Sequence, residues 1–108
     1  MKSIKEGVST VGLRPEILIA WDIADQIYTE LGLEFCTLTS GTDGIHGRSS
    51  RHYIGLGIDL RTRDFPNGGN NSDLVTTAVE MLKERLGNEY DIVRESNHLH
   101  IEHDLKRK

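Results

Sequence analysis

The chain's five histidines all fall in two short segments, His46 and His52 within residues 45–53, and His98, His100 and His103 within residues 97–104. Imidazole is the commonest transition-metal ligand, so this clustering across a long intervening stretch is the loudest chemical signal in the sequence. His52 and Asp59 stand seven residues apart. On a helix that spacing would separate them by about 10.5 Å along the axis, whereas ligands of one Zn²⁺ sit about 2.0–2.2 Å from it. The pair converges only where a loop runs into a strand, and Gly55 and Gly57 between them let the chain return tightly without Cβ clashes. In His98-Leu99-His100-Ile101-Glu102, strand alternation places His98, His100 and Glu102 on one face and turns Leu99 and Ile101 toward a core. His52, Asp59 and one histidine of this strand would give three protein ligands and an open fourth position, the pattern of a catalytic zinc site.

The secondary structure that carries these residues can be read from periodicity. Ile17, Leu18, Trp21, Ala24, Ile27, Tyr28 and Leu31 recur at helical spacing, with Pro15 in the first turn and Gly32 as a stop, which predicts a helix over 14–31. Trp21 and Tyr28 are core residues of that helix. Residues 33–40 alternate in a strand pattern and end in the turn formers Ser40-Gly41-Thr42-Asp43-Gly44. Residues 57–61 alternate again, with Ile58 and Leu60 on one face and Asp59 on the other. A breaker-rich loop over 64–71 leads into a second amphipathic helix over 72–86, closed by Gly87. Residues 90–94 and 98–103 form a hairpin around Glu95-Ser96-Asn97. This order lacks a regular βαβ alternation, so the expected fold is a single α+β domain over 1–108 with two main helices packed on one mostly antiparallel sheet. No internal repeat or low-complexity segment suggests a solenoid.

Composition excludes several functions. Thirteen Lys and Arg against seventeen Asp and Glu give a net charge of −4, which provides no global basic field for nucleic acid or an anionic membrane. The Lys106-Arg107-Lys108 tail is a short solvated run. The single cysteine, Cys36, cannot form an internal disulfide and lies in an apolar strand pattern, where it packs as a small buried side chain. Residues 1–7 lack the apolar core of a signal peptide, and no run approaches the roughly 20 apolar residues of a membrane span. The expected location at synthesis is the cytoplasm, and the expected state a monomer.

Ser50-Arg51-His52-Tyr53-Ile54-Gly55-Leu56-Gly57-Ile58-Asp59 resembles the Ser-x-His-x-x-Gly-x-Ala-x-Asp signature of the zinc D-alanyl-D-alanine peptidases, with Gly57 where Ala is usual. That superfamily also contains hedgehog signalling domains and many phage endolysins. The stretch 90–102, ending Asn97-His98-Leu99-His100-Ile101-Glu102, resembles the acidic-His-x-His block that closes the site in the same family. Thr39 to Gly44 and His46 resemble the loop before the first ligand in compact phage-type members. The resemblance covers roughly residues 37–61 and 90–104. It implies a hedgehog/DD-peptidase-like fold, with His52, Asp59 and His100 as zinc ligands and His98 as the imidazole that steadies the oxyanion. Arg48, Ser50 and Arg51 become candidate substrate-binding residues, the arginines because a guanidinium grips a carboxylate with two hydrogen bonds.

The chain departs from the family at Asn97, where relatives usually place the Asp that acts as general base. An amide has no titratable proton near neutrality and cannot do that work. Glu95 is the nearest substitute. In a second register, similar to the dipeptidase branch, a Glu precedes the ligand by three positions, making His98 the ligand, Glu95 the base and His100 the auxiliary group. The function implied is a zinc-dependent peptidase of bacterial cell-wall stem peptides, acting at D-alanyl-D-alanine or L-alanyl-D-glutamate bonds and, in the phage case, released by a holin. Its partner would be a stem peptide or a D-amino-acid dipeptide. The alternative, favoured by Asn97, is a catalytically silent, zinc-stabilised binding module of the same fold.

Overall fold

The computed structural model describes residues 1–42 and 55–104. They form an α+β domain in which two helices cover one face of a mixed five-stranded sheet, ordered β1-β2-β3-β5-β4. Strands β1 (Lys2–Ile4), β2 (Cys36–Ser40), β3 (Gly57–Arg61), β4 (Tyr90–Arg94) and β5 (His98–His103) surround helices α1 (Pro15–Glu30) and α2 (Asp73–Leu86) in sequence. The pairings β2–β3, β3–β5 and β5–β4 are antiparallel, the last being the expected hairpin, so the sheet is mostly antiparallel. Strand β1 was not expected, and it pairs with β2 in parallel.

Each helix follows from its local chemistry. Pro15 occupies the first turn of α1, where its missing N–H costs nothing. The Ser72 hydroxyl accepts from the Leu74 N–H at 3.1 Å and caps α2, and Gly87 ends it with φ 79°. Between β3 and α2 the breaker-rich loop folds into a short 3-10 turn, Gly69–Asn71.

The core lies between helices and sheet. Ile17, Ala20, Ala24, Ile27 and Tyr28 of α1 and Val75, Ala78 and Leu82 of α2 are fully buried. They meet Leu38, Ile58, Leu60, Leu99 and Ile101 of the sheet, also without exposure. Burying each large aliphatic side chain contributes roughly 1.5–3 kcal/mol, so this face fixes the orientation of β2, β3 and β5. Cys36 is part of it, and burial pushes its thiol well above the usual range. Because side chains alternate, driving Ile58, Leu60, Leu99 and Ile101 inward drives Asp59, Arg61, His98, His100 and Glu102 to the opposite face.

Two polar ties anchor the frame to the helices. Tyr28 Oη donates to the Arg61 carbonyl at 2.9 Å, at the end of β3, while its ring meets Phe65 edge-on at 4.9 Å. Tyr90 Oη donates to the Glu16 carbonyl at 2.9 Å. Gly55 shows why the chain needs glycine before β3. Its φ is 78°, its carbonyl accepts from Arg14 N–H at 2.9 Å, and a Cβ there would lie 2.1 Å from the Gly12 carbonyl oxygen.

Candidate metal centre

The antiparallel register of β3 and β5 sets Asp59 directly opposite His100, and Arg61 directly opposite His98. Alternation alone fixed the face; the register brings the side chains together. His100 Nδ1 lies 2.9 Å from Asp59 Oδ1, and His98 Nε2 lies 3.6 Å from the same oxygen. The other nitrogen of His100, Nε2, lies 2.9 Å from Glu102 Oε1. All four residues are partly buried.

Protonation follows from these contacts. Both ring nitrogens of His100 face carboxylate oxygens, which accept only, so both carry protons when the ring is charged. The hydrogen bond to Asp59 is the main cause that raises the His100 pKa, with Glu102 adding to it and partial burial opposing it. His98 is held differently. Its Nδ1 lies 2.6 Å from the amide oxygen of Asn97 and donates to it, which leaves a lone pair on Nε2 in the neutral ring. The amide oxygen of Asn97 thus holds the His98 ring from the preceding residue.

Asp59 and either histidine are spaced as two ligands of one metal ion would be. Two ligands of a tetrahedral zinc, each about 2.0–2.1 Å from it, lie about 3.4 Å apart. The Asp59–His100 and Asp59–His98 separations, 2.9 and 3.6 Å, bracket that value. With a metal in the place of the shared proton, Glu102 would hold the far nitrogen of His100, the carboxylate–histidine–metal arrangement that orients a ligand ring. Sequence reading put Glu102 on the right face but gave it no role. A different group, Asp91, Glu102 and Asp104, brings three carboxylate ligand atoms within 4.8 Å of one another beside the same strand.

A cleft of about 360 Å³ opens beside the pair, lined by Asp59, His98 and Asn97, by Thr39 and Ser40 of β2, by Asn70, and by Lys5, Arg61 and Arg63. None of these three cations was a sequence candidate. Glu95 is exposed in the β4–β5 turn, where its backbone N–H donates to the His98 carbonyl at 2.9 Å, and it does not line the cleft. His103 faces away, as alternation requires, with its ring 4.9 Å from that of Tyr90. The candidates His46, Arg48, Ser50, Arg51 and His52 lie outside the described residues. No helix among the described residues is long and apolar enough to cross a membrane.

Searches against family models, curated proteins and solved structures return no match to this chain.

Proposed function

We propose that the protein is a zinc-dependent peptidase acting on the stem peptides of the bacterial cell wall, with the hedgehog/DD-peptidase-like fold that the two motifs imply. One observation carries the reading. Asp59 and His100 come from motifs far apart in the chain and were paired as ligands by resemblance; they stand opposite each other on adjacent strands with donor atoms 2.9 Å apart. His52, Asp59 and His100 would hold the metal. When bound, zinc supplies a Lewis acid for the scissile carbonyl and a nucleophile near neutral pH. Glu102 keeps the His100 ring in place through Nε2. His98 steadies the developing oxyanion from the adjacent strand position, and Asn97 fixes its orientation. Glu95, the carboxylate of the same turn, stays the candidate for the proton transfers although it lies outside the cleft, and would have to turn toward the site to perform them.

The test is zinc content per chain by elemental analysis, together with mass spectrometry of fragments released from purified peptidoglycan. About one zinc per chain, with release at one type of stem-peptide bond that stops in Glu95→Gln, is the expected result. Absence of zinc after the metal is added back would refute the reading.

A second reading, a zinc-stabilised binding module without catalysis, is favoured by Asn97, whose amide oxygen is already engaged by His98 at 2.6 Å. Restoring an acid with Asn97→Asp separates the two. Release that appears or rises strongly marks an enzyme, whereas zinc binding with no release in either protein marks the module.

A further inference from the structure

The segment that joins β1 to α1 is folded on itself and fastened at both of its ends. Lys5 N–H donates to the Leu38 carbonyl at 2.9 Å, which ties its start to β2. Within it the Val11 N–H donates to Ser9 Oγ at 3.3 Å and the Leu13 N–H to the Thr10 carbonyl at 3.2 Å. It then runs straight into α1, whose first turn bonds back to the Arg14 carbonyl. Against this segment rest both flanks of residues 43–54, the stretch of sequence that contains His52.

On the entering side, Thr42 N–H donates to the Ser9 carbonyl at 3.0 Å and Thr42 Oγ1 donates to the Val11 carbonyl at 2.6 Å, with Ser9 Oγ 3.2 Å from the same hydroxyl. Gly41 lets the chain come this close, since a Cβ there would lie 2.3 Å from the Ser9 carbonyl oxygen. On the leaving side the Gly55 carbonyl accepts from Arg14 N–H at 2.9 Å, and a Cβ at Gly55 would lie 2.1 Å from the Gly12 carbonyl oxygen. A glycine at each flank of one stretch is thus seated on the backbone of one short segment, where any side chain would hold the two apart. The flanks are fixed by the fold before any metal binds, so the entropy of closing the stretch between them falls on folding and not on metal binding. Gly55 stands three residues after His52 and four before Asp59, the fixed point between two of the proposed ligands.

We propose that Thr42 is a positioning residue for the metal centre: its hydroxyl holds the 9–14 segment in place, that segment holds Gly55, and Gly55 sets where His52 is presented to Asp59 and His100. The proposal rests on the peptidase reading, in which His52 is a ligand, and adds to it the device that brings this ligand to the other two. Thr42 touches neither metal nor substrate in this role. It acts through the backbone of Ser9 and Val11.

Calorimetric titration of zinc into the metal-free whole protein tests it. Thr42→Val keeps the side-chain shape and the backbone bond to Ser9 but removes the hydroxyl. It is expected to bind zinc about tenfold more weakly than the wild type, the low end of the loss that follows removal of a group supporting a metal ligand. Thr42→Ser keeps the hydroxyl and is expected to keep the wild-type affinity. Arg85→Gln breaks the tie between α2 and α1, which lowers stability without touching the 9–14 segment, and is expected to leave zinc affinity unchanged. Wild-type affinity in Thr42→Val, or a weakening of the same size in Thr42→Ser or Arg85→Gln, would overturn the positioning role and leave the zinc site standing. No uptake of zinc by the wild type would refute the peptidase reading and the positioning role together.

Discussion

Replacing His100 and His98 by alanine, one at a time, tests the metal centre through its effect on stability. A ligand that binds only the folded chain at a free concentration a hundredfold above its Kd adds about 2.7 kcal/mol. In a domain of this size about 1 kcal/mol moves Tm by about 4 °C, so zinc at that level should raise the wild-type Tm by about 10 °C. His100 makes the shortest contact to Asp59, at 2.9 Å. If His100 is the ligand proposed, its removal should make the rise vanish. His98 stands at 3.6 Å and in this register only supports the site. Loss of a supporting group costs roughly 10- to 100-fold in metal affinity, which at the same zinc concentration leaves about 1.4 to 0.4 kcal/mol, a rise of about 6 to 2 °C. Differential scanning fluorimetry with and without zinc, each variant against its own metal-free baseline, reads these numbers directly. A full rise in His100→Ala with none in His98→Ala would make His98 the ligand and refute the register argued from Asp59. An unchanged wild-type Tm at every zinc concentration would refute the centre itself.

Three further outcomes check the frame that holds the site. Tyr28→Phe removes the hydroxyl that donates to the Arg61 carbonyl at 2.9 Å while keeping the buried ring, and should cost about 0.5–1.5 kcal/mol in urea unfolding. Gly55→Ala forces a Cβ to within 2.1 Å of the Gly12 carbonyl oxygen at a φ of 78°, and should cost at least about 2 kcal/mol by the same measurement. Arg85 holds Glu30 with two hydrogen bonds, 2.7 and 2.9 Å, that join α2 to α1. The guanidinium keeps the Glu30 carboxyl below its ordinary range, so its stabilisation is present above the unfolded pKa and lost as pH falls through the folded one. Arg85→Gln should therefore lower Tm at pH 7 and have a shrinking effect as the pH is taken below 4.5, the ordinary value for that carboxyl.

How much of this was legible in the sequence depends on the range of the interaction that decides it. The two helices and the β4–β5 hairpin are set by local periodicity, and their bounds fall within a residue or two of the pattern: 14–31 expected against Pro15–Glu30, 72–86 against Asp73–Leu86, and both hairpin strands as expected. The helix ends were readable because Pro15, Ser72 and Gly87 act on backbone groups within one turn. Strand β1 was not readable, since its three residues are a strand only by virtue of pairing with β2, and Ile4 is half exposed. Residues 33–35 alternate in the strand pattern but precede β2, which begins at Cys36.

The site divides along the same line. Alternation placed Asp59, His98, His100 and Glu102 on one face, because a period of two is a property of each strand alone. That Asp59 meets His100 and Arg61 meets His98 is a property of register, which hydrogen bonding between strands decides and alternation leaves free in steps of two. The cations of the cleft were further still from view. Lys5, Arg61 and Arg63 read singly as solvated charges in an acidic chain, and only the joining of β1 to β2, and of β2 to β3, brings them around one concavity. A net charge of −4 leaves no global basic field, yet it averages over the distances that a bound ligand senses. Within roughly a Debye length, about 8 Å at physiological salt, a ligand in this cleft meets a local excess of positive charge that the composition of the whole chain conceals.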